Sequence, residues 1–171
     1  MHTDELTTHT NPYPEGVTCA KLNIMSKTSF LYHIIIRTKN NQKTLSIENA
    51  EELYKFIWGV IDRKNCKLYR INGVEDHIHM LVSIHPSIAV ADFVREVKRS
   101  SSILLKTTKG YERFKSWSEG YGGFTYNIKD KEMIINYIKN QRDHHRKVSF
   151  KEEIEKILKE YGLDFDQIEW S

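Results

Sequence analysis

The sequence predicts an α+β fold: an antiparallel sheet with helices on one face, followed by further helices towards the C-terminal end. Three observations predict it. Short runs rich in β-branched and aromatic residues recur at 30–37, 66–71 and 76–84. Longer stretches with apolar residues at helical spacing separate and follow them. The signals come in the order β-α-β-β-α-β before the closing helices, which suits an antiparallel sheet better than a parallel one.

The first strand is Phe30-Leu-Tyr-His-Ile-Ile-Ile-Arg37, stopped by Asn40-Asn41. Ser46 can cap a helix from Ile47 to about Lys64, with Ala50, Leu53, Tyr54, Ile57 and Ile61 on one stripe. Cys66 to Ile71 is the second strand, Asn72-Gly73 a turn signal, and Asp76 to Ile84 the third strand. Ser87 can cap a second helix to about Lys106, with Val90, Phe93, Val94, Val97 and Leu104 inward. Trp117 to Asn127 holds a short fourth strand after Gly123. Asp130 caps a third helix running to about Val148, and Ser149 starts a last helix, Phe150 to Tyr161, stopped by Gly162. This is the split ferredoxin-like (RRM-like) arrangement, with the second sheet face expected to be open.

Length and composition bound the rest. A chain of 171 residues has room for one domain with a proper core. Residues 1–28 are polar, contain Pro12 and Pro14, and read as a disordered leader, leaving 29–171 as a single domain. No apolar run is long enough to span a bilayer, so no membrane partner is expected. Two cysteines, Cys19 and Cys66, cannot build a disulfide framework, and a reducing cytoplasmic setting is expected. The net charge of +3 is uninformative, but its distribution is not. Arg95, Lys98, Arg99, Lys106, Lys109, Arg113 and Lys115 face only Glu96 and Glu112 within one stretch, a candidate nucleic-acid surface or a solvated helix face.

The third strand carries chemistry. In Asp76-His-Ile-His-Met-Leu-Val-Ser-Ile84 the side chains alternate between faces. Ile78, Met80, Val82 and Ile84 form the apolar set, so His77 and His79 point together from the other face, close enough to share a cation. On the third helix Tyr137, Gln141 and His144 or His145 share one side. Gln141 is a poor core residue, because a buried amide needs partners for both its oxygen and its nitrogen. Its oxygen can complete a site with His77 and His79, leaving room for phosphate oxygens, and Tyr137 would stand over the same opening. His144 and His145 are alternative third ligands.

These residues resemble the single-tyrosine HUH transposases of the insertion-sequence 200/605 group. The resemblance runs from about Ser29 to Trp170. It rests on Tyr32-His-Ile-Ile-Ile-Arg-Thr-Lys39, Asp76-His-Ile-His-Met80, Trp117-Ser-Glu-Gly-Tyr121 and Tyr137-Ile-Lys-Asn-Gln-Arg-Asp-His-His145 in that order. It implies a homodimer that cuts and rejoins single-stranded DNA with hairpins near the element ends. Tyr137 would be the nucleophile, and His77, His79 and Gln141 would hold Mg²⁺ or Mn²⁺. The basic stretch from Arg95 to Lys115 would then meet the hairpin backbone. The competing expectations are a domesticated, repeat-associated relative, a replication or relaxase nuclease, and a non-catalytic single-stranded nucleic-acid-binding module.

Overall fold

A computed structural model describes residues 28–163. The expected leader, apart from Thr28, and the tail from 164 onward lie outside the described residues, as does Cys19. The elements are β1 (Tyr32–Arg37), α1 (Ala50–Asp62), β2 (Lys67–Gly73), β3 (His77–Ser83) and α2 (Val90–Thr107). They are followed by β4 (Gly122–Thr125), α3 (Lys131–Lys139), α4 (Gln141–His144) and α5 (Phe150–Glu160). The four strands form one sheet in the order β2-β3-β1-β4, every neighbouring pair antiparallel. This is the predicted ferredoxin-like topology.

Strand alternation sorts the residues into two layers. Ile34 and Ile36 of β1 and Ile78, Met80 and Val82 of β3 face α1 and α2. There they pack with Leu53, Ile57 and Ile61, and with Phe93, Val94, Val97 and Leu105. Each such side chain stabilises the fold by about 1.5–3 kcal/mol when removed from water. The expected stripes of both helices are the ones that turn inward.

The other face is covered, contrary to expectation. Leu31 and Leu81 meet Ile134 and Ile138 of α3. Ile35 and Phe124 meet Ile154, Ile157 and Leu158 of α5. An open face would have left Ile35 and Leu81 in water, and the apolar stripes of the last helices supply their cover. No helix among the described residues is long and apolar enough to cross a membrane.

Two element boundaries move for identifiable reasons. Asn72 and Gly73 belong to β2 rather than to the turn, with Asn72 opposite His79 and Gly73 opposite Ile78. A Cβ on Gly73 would lie 2.3 Å from the His77 carbonyl oxygen, so the close approach there requires glycine. The predicted 130–148 helix breaks at Asn140. The Asn72 amide donates to the carbonyls of Ile138 and Lys139, at 3.1 and 2.9 Å. Those carbonyls would otherwise receive the amides of the next helical turn. The start of α5 is as the sequence suggests, with Ser149 and Glu152 forming a reciprocal capping box.

Candidate metal centre and its tyrosine

The site is built where β1 and β3 lie side by side beneath α3, α4 and α5. His77 and His79 are two residues apart on β3, so both imidazoles leave the sheet towards the C-terminal helices. Each is fully buried. The break after Asn140 brings His145 over them, and α5 delivers Glu153 from the next element along the chain. One ligand atom from each of His77, His79, His145 and Glu153 lies within 4.8 Å of all the others.

The orientation of each ring is fixed from behind. His77 Nδ1 is 2.5 Å from Asp76 Oδ1, His79 Nδ1 is 2.8 Å from His33 Nε2, and His145 Nδ1 is 3.0 Å from the Val148 carbonyl. All three Nε2 atoms are thereby left to converge, the pattern by which outer partners orient metal-ligating histidines. His77 Nε2 and His145 Nε2 are 3.0 Å apart. Glu153 Oε2 lies 2.9 Å from His145 Nε2, 3.6 Å from His79 Nε2 and 3.8 Å from His77 Nε2. Four donors placed tetrahedrally about 2.1 Å from one cation would be about 3.4 Å from one another. His79 Nε2 and Gln141 Oε1 are buried and make no hydrogen bond, while Glu153 Oε2 is buried with His145 Nε2 as its near partner. Leaving buried polar atoms without a hydrogen bond is costly, and a shared cation removes the cost for the donors that face it. The donor set therefore fits a divalent metal. Its imidazole content suits a transition-metal ion better than Mg²⁺, which prefers oxygen.

Tyr137 stands beside this centre. Its ring centroid is 6.2 Å from that of His79 and 6.1 Å from that of His33. Its hydroxyl donates to Glu153 Oε1, which also accepts from Gln141 Nε2 at 2.8 Å. One carboxylate thus touches the tyrosine through one oxygen and the imidazoles through the other.

Electrostatics follow from burial. Burial pushes His79 well below its ordinary pKa and lowers His77, in each case against the pull of a neighbouring carboxylate. Burial thus favours the neutral form of both, which has a lone pair to offer. For Glu153, burial opposes the charge, but His79, His145, Tyr137 and Gln141 outweigh it and hold the carboxyl well below the usual range. Burial, followed by the adjoining Glu153 charge, raises Tyr137 far above a free phenol. A cation among the imidazoles would invert that last effect, because a bound ion is the largest charge in such a site.

His77, His79 and Tyr137 come together as the sequence predicts. His145, one of the two alternates, takes the third imidazole position, and Gln141 joins the site through Glu153. His144 stacks against Tyr137 at 5.6 Å and is not among the converging donors. Sequence reasoning misses Glu153 and His33. The signal for Glu153 is a carboxylate in line with Phe150, Ile154 and Ile157 on the apolar stripe of α5. The signal for His33 is a histidine on the same side of β1 as Ile35.

The basic stretch lies elsewhere. α2 packs on the opposite sheet face, so Arg95 to Lys115 is a layer away from the imidazoles. Arg95 pairs with Asp92, and Arg99 with Glu96. Lys98 Nζ donates to the carbonyls of Ser118, Glu119 and Gly120 at 2.8, 3.0 and 2.6 Å, fixing the loop before β4. Lys106, Lys109, Arg113 and Lys115 are exposed.

The fold is shared with two solved structures. A candidate transposase from Deinococcus radiodurans R1 superposes with a TM-score of 0.50 at 24% identity, covering 67% of this chain and 93% of that one. The REP-associated tyrosine transposase bound to a REP hairpin gives 0.54 at 16% identity, covering 72% and 76%. The chain belongs to the IS200-like transposase family, whose model matches residues 26–141. Among its relatives, the transposase of insertion sequence IS200 from Salmonella typhimurium is 30% identical over 115 residues, 64% of this chain and 75% of the relative. The ISDra2 transposase TnpA of Deinococcus radiodurans is 25% identical over 119 residues, 66% and 84%. The family match ends at Gln141, so His145 and Glu153 lie beyond it.

Proposed function

We propose that this transposase cleaves and rejoins single-stranded DNA through a covalent bond to Tyr137, acting at hairpins near the ends of a mobile element. The observation that carries the reading is the convergence of three imidazole Nε2 atoms beside the tyrosine hydroxyl. His77, His79 and His145 would hold Mn²⁺ or Mg²⁺, and an ion there would polarise a phosphate oxygen and stabilise charge on five-coordinate phosphorus. The remaining steps belong to the chain. The Tyr137 oxygen attacks phosphorus, the bond from phosphorus to the 3′-oxygen breaks, and the DNA 5′-phosphate stays joined to the enzyme. The phenolic proton leaves Tyr137, and the departing oxygen takes up a proton to become a free 3′-hydroxyl. Rejoining reverses the exchange, and no ATP is consumed because the phosphotyrosine conserves the bond.

The hairpin-bound relative supports DNA hairpins as partners, and the exposed Lys106, Lys109, Arg113 and Lys115 offer phosphate contacts on the outer layer. We also propose a homodimer working in the cytoplasm. Tyr137 lies against His33 and His79 of its own chain, the placement that attack within one subunit would use.

The test is a denaturing gel of protein, Mn²⁺ and labelled single-stranded DNA carrying the hairpin from beside the gene. A covalent protein–DNA band is expected for wild type and is lost in Tyr137→Phe and in His79→Ala. Hairpin binding without any band would leave a nucleic-acid-binding module and return Tyr137 to a packing role. Light scattering on the same preparation checks the dimer.

A further inference from the structure

Glu153 occupies the ground that a phosphate would need. Its helix is fixed, because Ile154, Ile157 and Leu158 pack on Ile35 and Phe124. Its side chain reaches both halves of the site. Oε2 closes the fourth side of the imidazole triad, 2.9 Å from His145 Nε2 and within 3.8 Å of the other two. Oε1 accepts from the Tyr137 hydroxyl and the Gln141 amide. A set of four protein donors is a closed site, whereas chemistry on a substrate needs an open position. A carboxylate and a phosphodiester are both anions offering oxygen, and one face of the triad cannot hold both.

We propose that Glu153 is a displaceable latch. Closed, it completes the donor set and restrains Tyr137 and Gln141. The scissile phosphate takes the place of Oε2, and the departure of the carboxylate releases the tyrosine hydroxyl and the Gln141 amide in the same movement. The inference rests on the metal-centre reading above. The structure also provides somewhere for the carboxylate to go. A cavity of about 320 Å³ beside Glu153 is lined by Tyr137, His144 and Lys156, and also by the carboxylates of Glu152 and Glu160. Lys156 is three residues along α5 from Glu153, so the two share a helix face and a rotated carboxylate meets a cation. Glutamate has three rotatable side-chain bonds, so the exchange requires no movement of α5. The latch lowers the apparent affinity for phosphate by the fraction of time it is open.

Co²⁺ in place of the native ion reads this directly, since its visible absorption is intense when four-coordinate and pale when waters enter. Full-length wild type, Glu153→Gln and Glu153→Ala are titrated with Co²⁺, then with thymidine 5′-phosphate as the probe. The expected result is an intense spectrum for wild type and a paler one for Glu153→Ala with Co²⁺ still bound. Half-saturation by the nucleotide should fall about tenfold in both variants, the effect of removing a latch open about one-tenth of the time. Glu153→Gln keeps the shape and an acceptor for Tyr137, and its melting curve guards against misfolding. An unchanged spectrum in Glu153→Ala, or equal or weaker nucleotide binding in both variants, overturns the latch alone. No Co²⁺ absorption in any of the three proteins overturns the metal centre and the latch with it.

Discussion

The sharpest consequence of the buried donor set is that stability should depend on divalent metal. The perturbation is addition of Mn²⁺ to protein stripped with a chelator. Four donors from β3, α5 and the segment after α4 meet within 4.8 Å, and the unfolded chain offers no such cluster. An ion that binds only the folded state adds about 2.7 kcal/mol at about one hundred times its dissociation constant. For a chain of this size each kcal/mol raises the melting temperature by about 2–4 °C, so the shift should be about 5–10 °C. Differential scanning calorimetry measures it, with His79→Gln as the companion. That variant melts lower on its own account because it disturbs a buried hydrogen bond to His33, so the quantity compared is the Mn²⁺-induced shift and not the absolute temperature. The shift should largely vanish in His79→Gln, and Mg²⁺ should give less than Mn²⁺. No upward shift in wild type, or an equal one in His79→Gln, would refute the argument from converging donors.

Four further outcomes follow from the geometry. Gly73→Ala should destabilise the protein by roughly 1–3 kcal/mol or more in a denaturant melt, because the new methyl would stand 2.8 Å from Ile78 Cα as well as against the His77 carbonyl; a neutral result would mean the β2–β3 edge is free to yield. In the metal-free protein, burial holds His33 at about 4, below its unfolded value of 6.5. Its contribution, roughly 3 kcal/mol, is therefore present above pH 6.5 and lost as pH falls through 4. His33→Phe should lessen the fall over that range, which His77 and His79 share because burial lowers them too, and a flat wild-type curve there would contradict a buried neutral imidazole. Reversing Lys109, Arg113 and Lys115 to Glu should weaken hairpin binding and reduce the salt slope by about 0.9 for each phosphate no longer neutralised. Lys98→Met should instead lower the melting temperature, since its ammonium is committed to three carbonyls; the reverse pattern in a binding assay would reassign the surface.

Much of the fold was legible because the sheet has one strongly patterned strand. Alternation in β3 put Ile78, Met80 and Val82 on one side and both histidines on the other, and the stripes of α1 and α2 agreed with it. What could not be read was which side chains from distant elements would meet. Asn72 looked like a turn residue, because Asn-Gly is a turn signal locally, yet its amide ends α3 some sixty-six residues later. Without that bond the run to Val148 reads as continuous helix, and a continuous helix favours Gln141 as the third ligand. Breaking it at Asn140 redirects the chain and brings in His145. Glu153 was hidden by its neighbour, since Glu152 fulfils the capping pattern with Ser149 and makes the pair look like an ordinary acidic first turn. The covered second face escaped notice for a related reason. An amphipathic stripe shows that a helix has a dry side and leaves its destination unstated.

The distribution of the donors along the chain has a bearing on how the protein is made. By the time Gln141 has been synthesised, all four strands, both outer helices and the helix of Tyr137 exist, yet two of the four converging groups do not. A ribosome paused there has made every strand of the sheet and the basic outer layer, but neither His145 nor Glu153. Such a chain would carry the basic outer layer and two of the three converging imidazoles. Synthesis through His145 supplies the third imidazole, so on the proposed reading the metal centre is assembled only after the sheet and the helix of Tyr137 have been made.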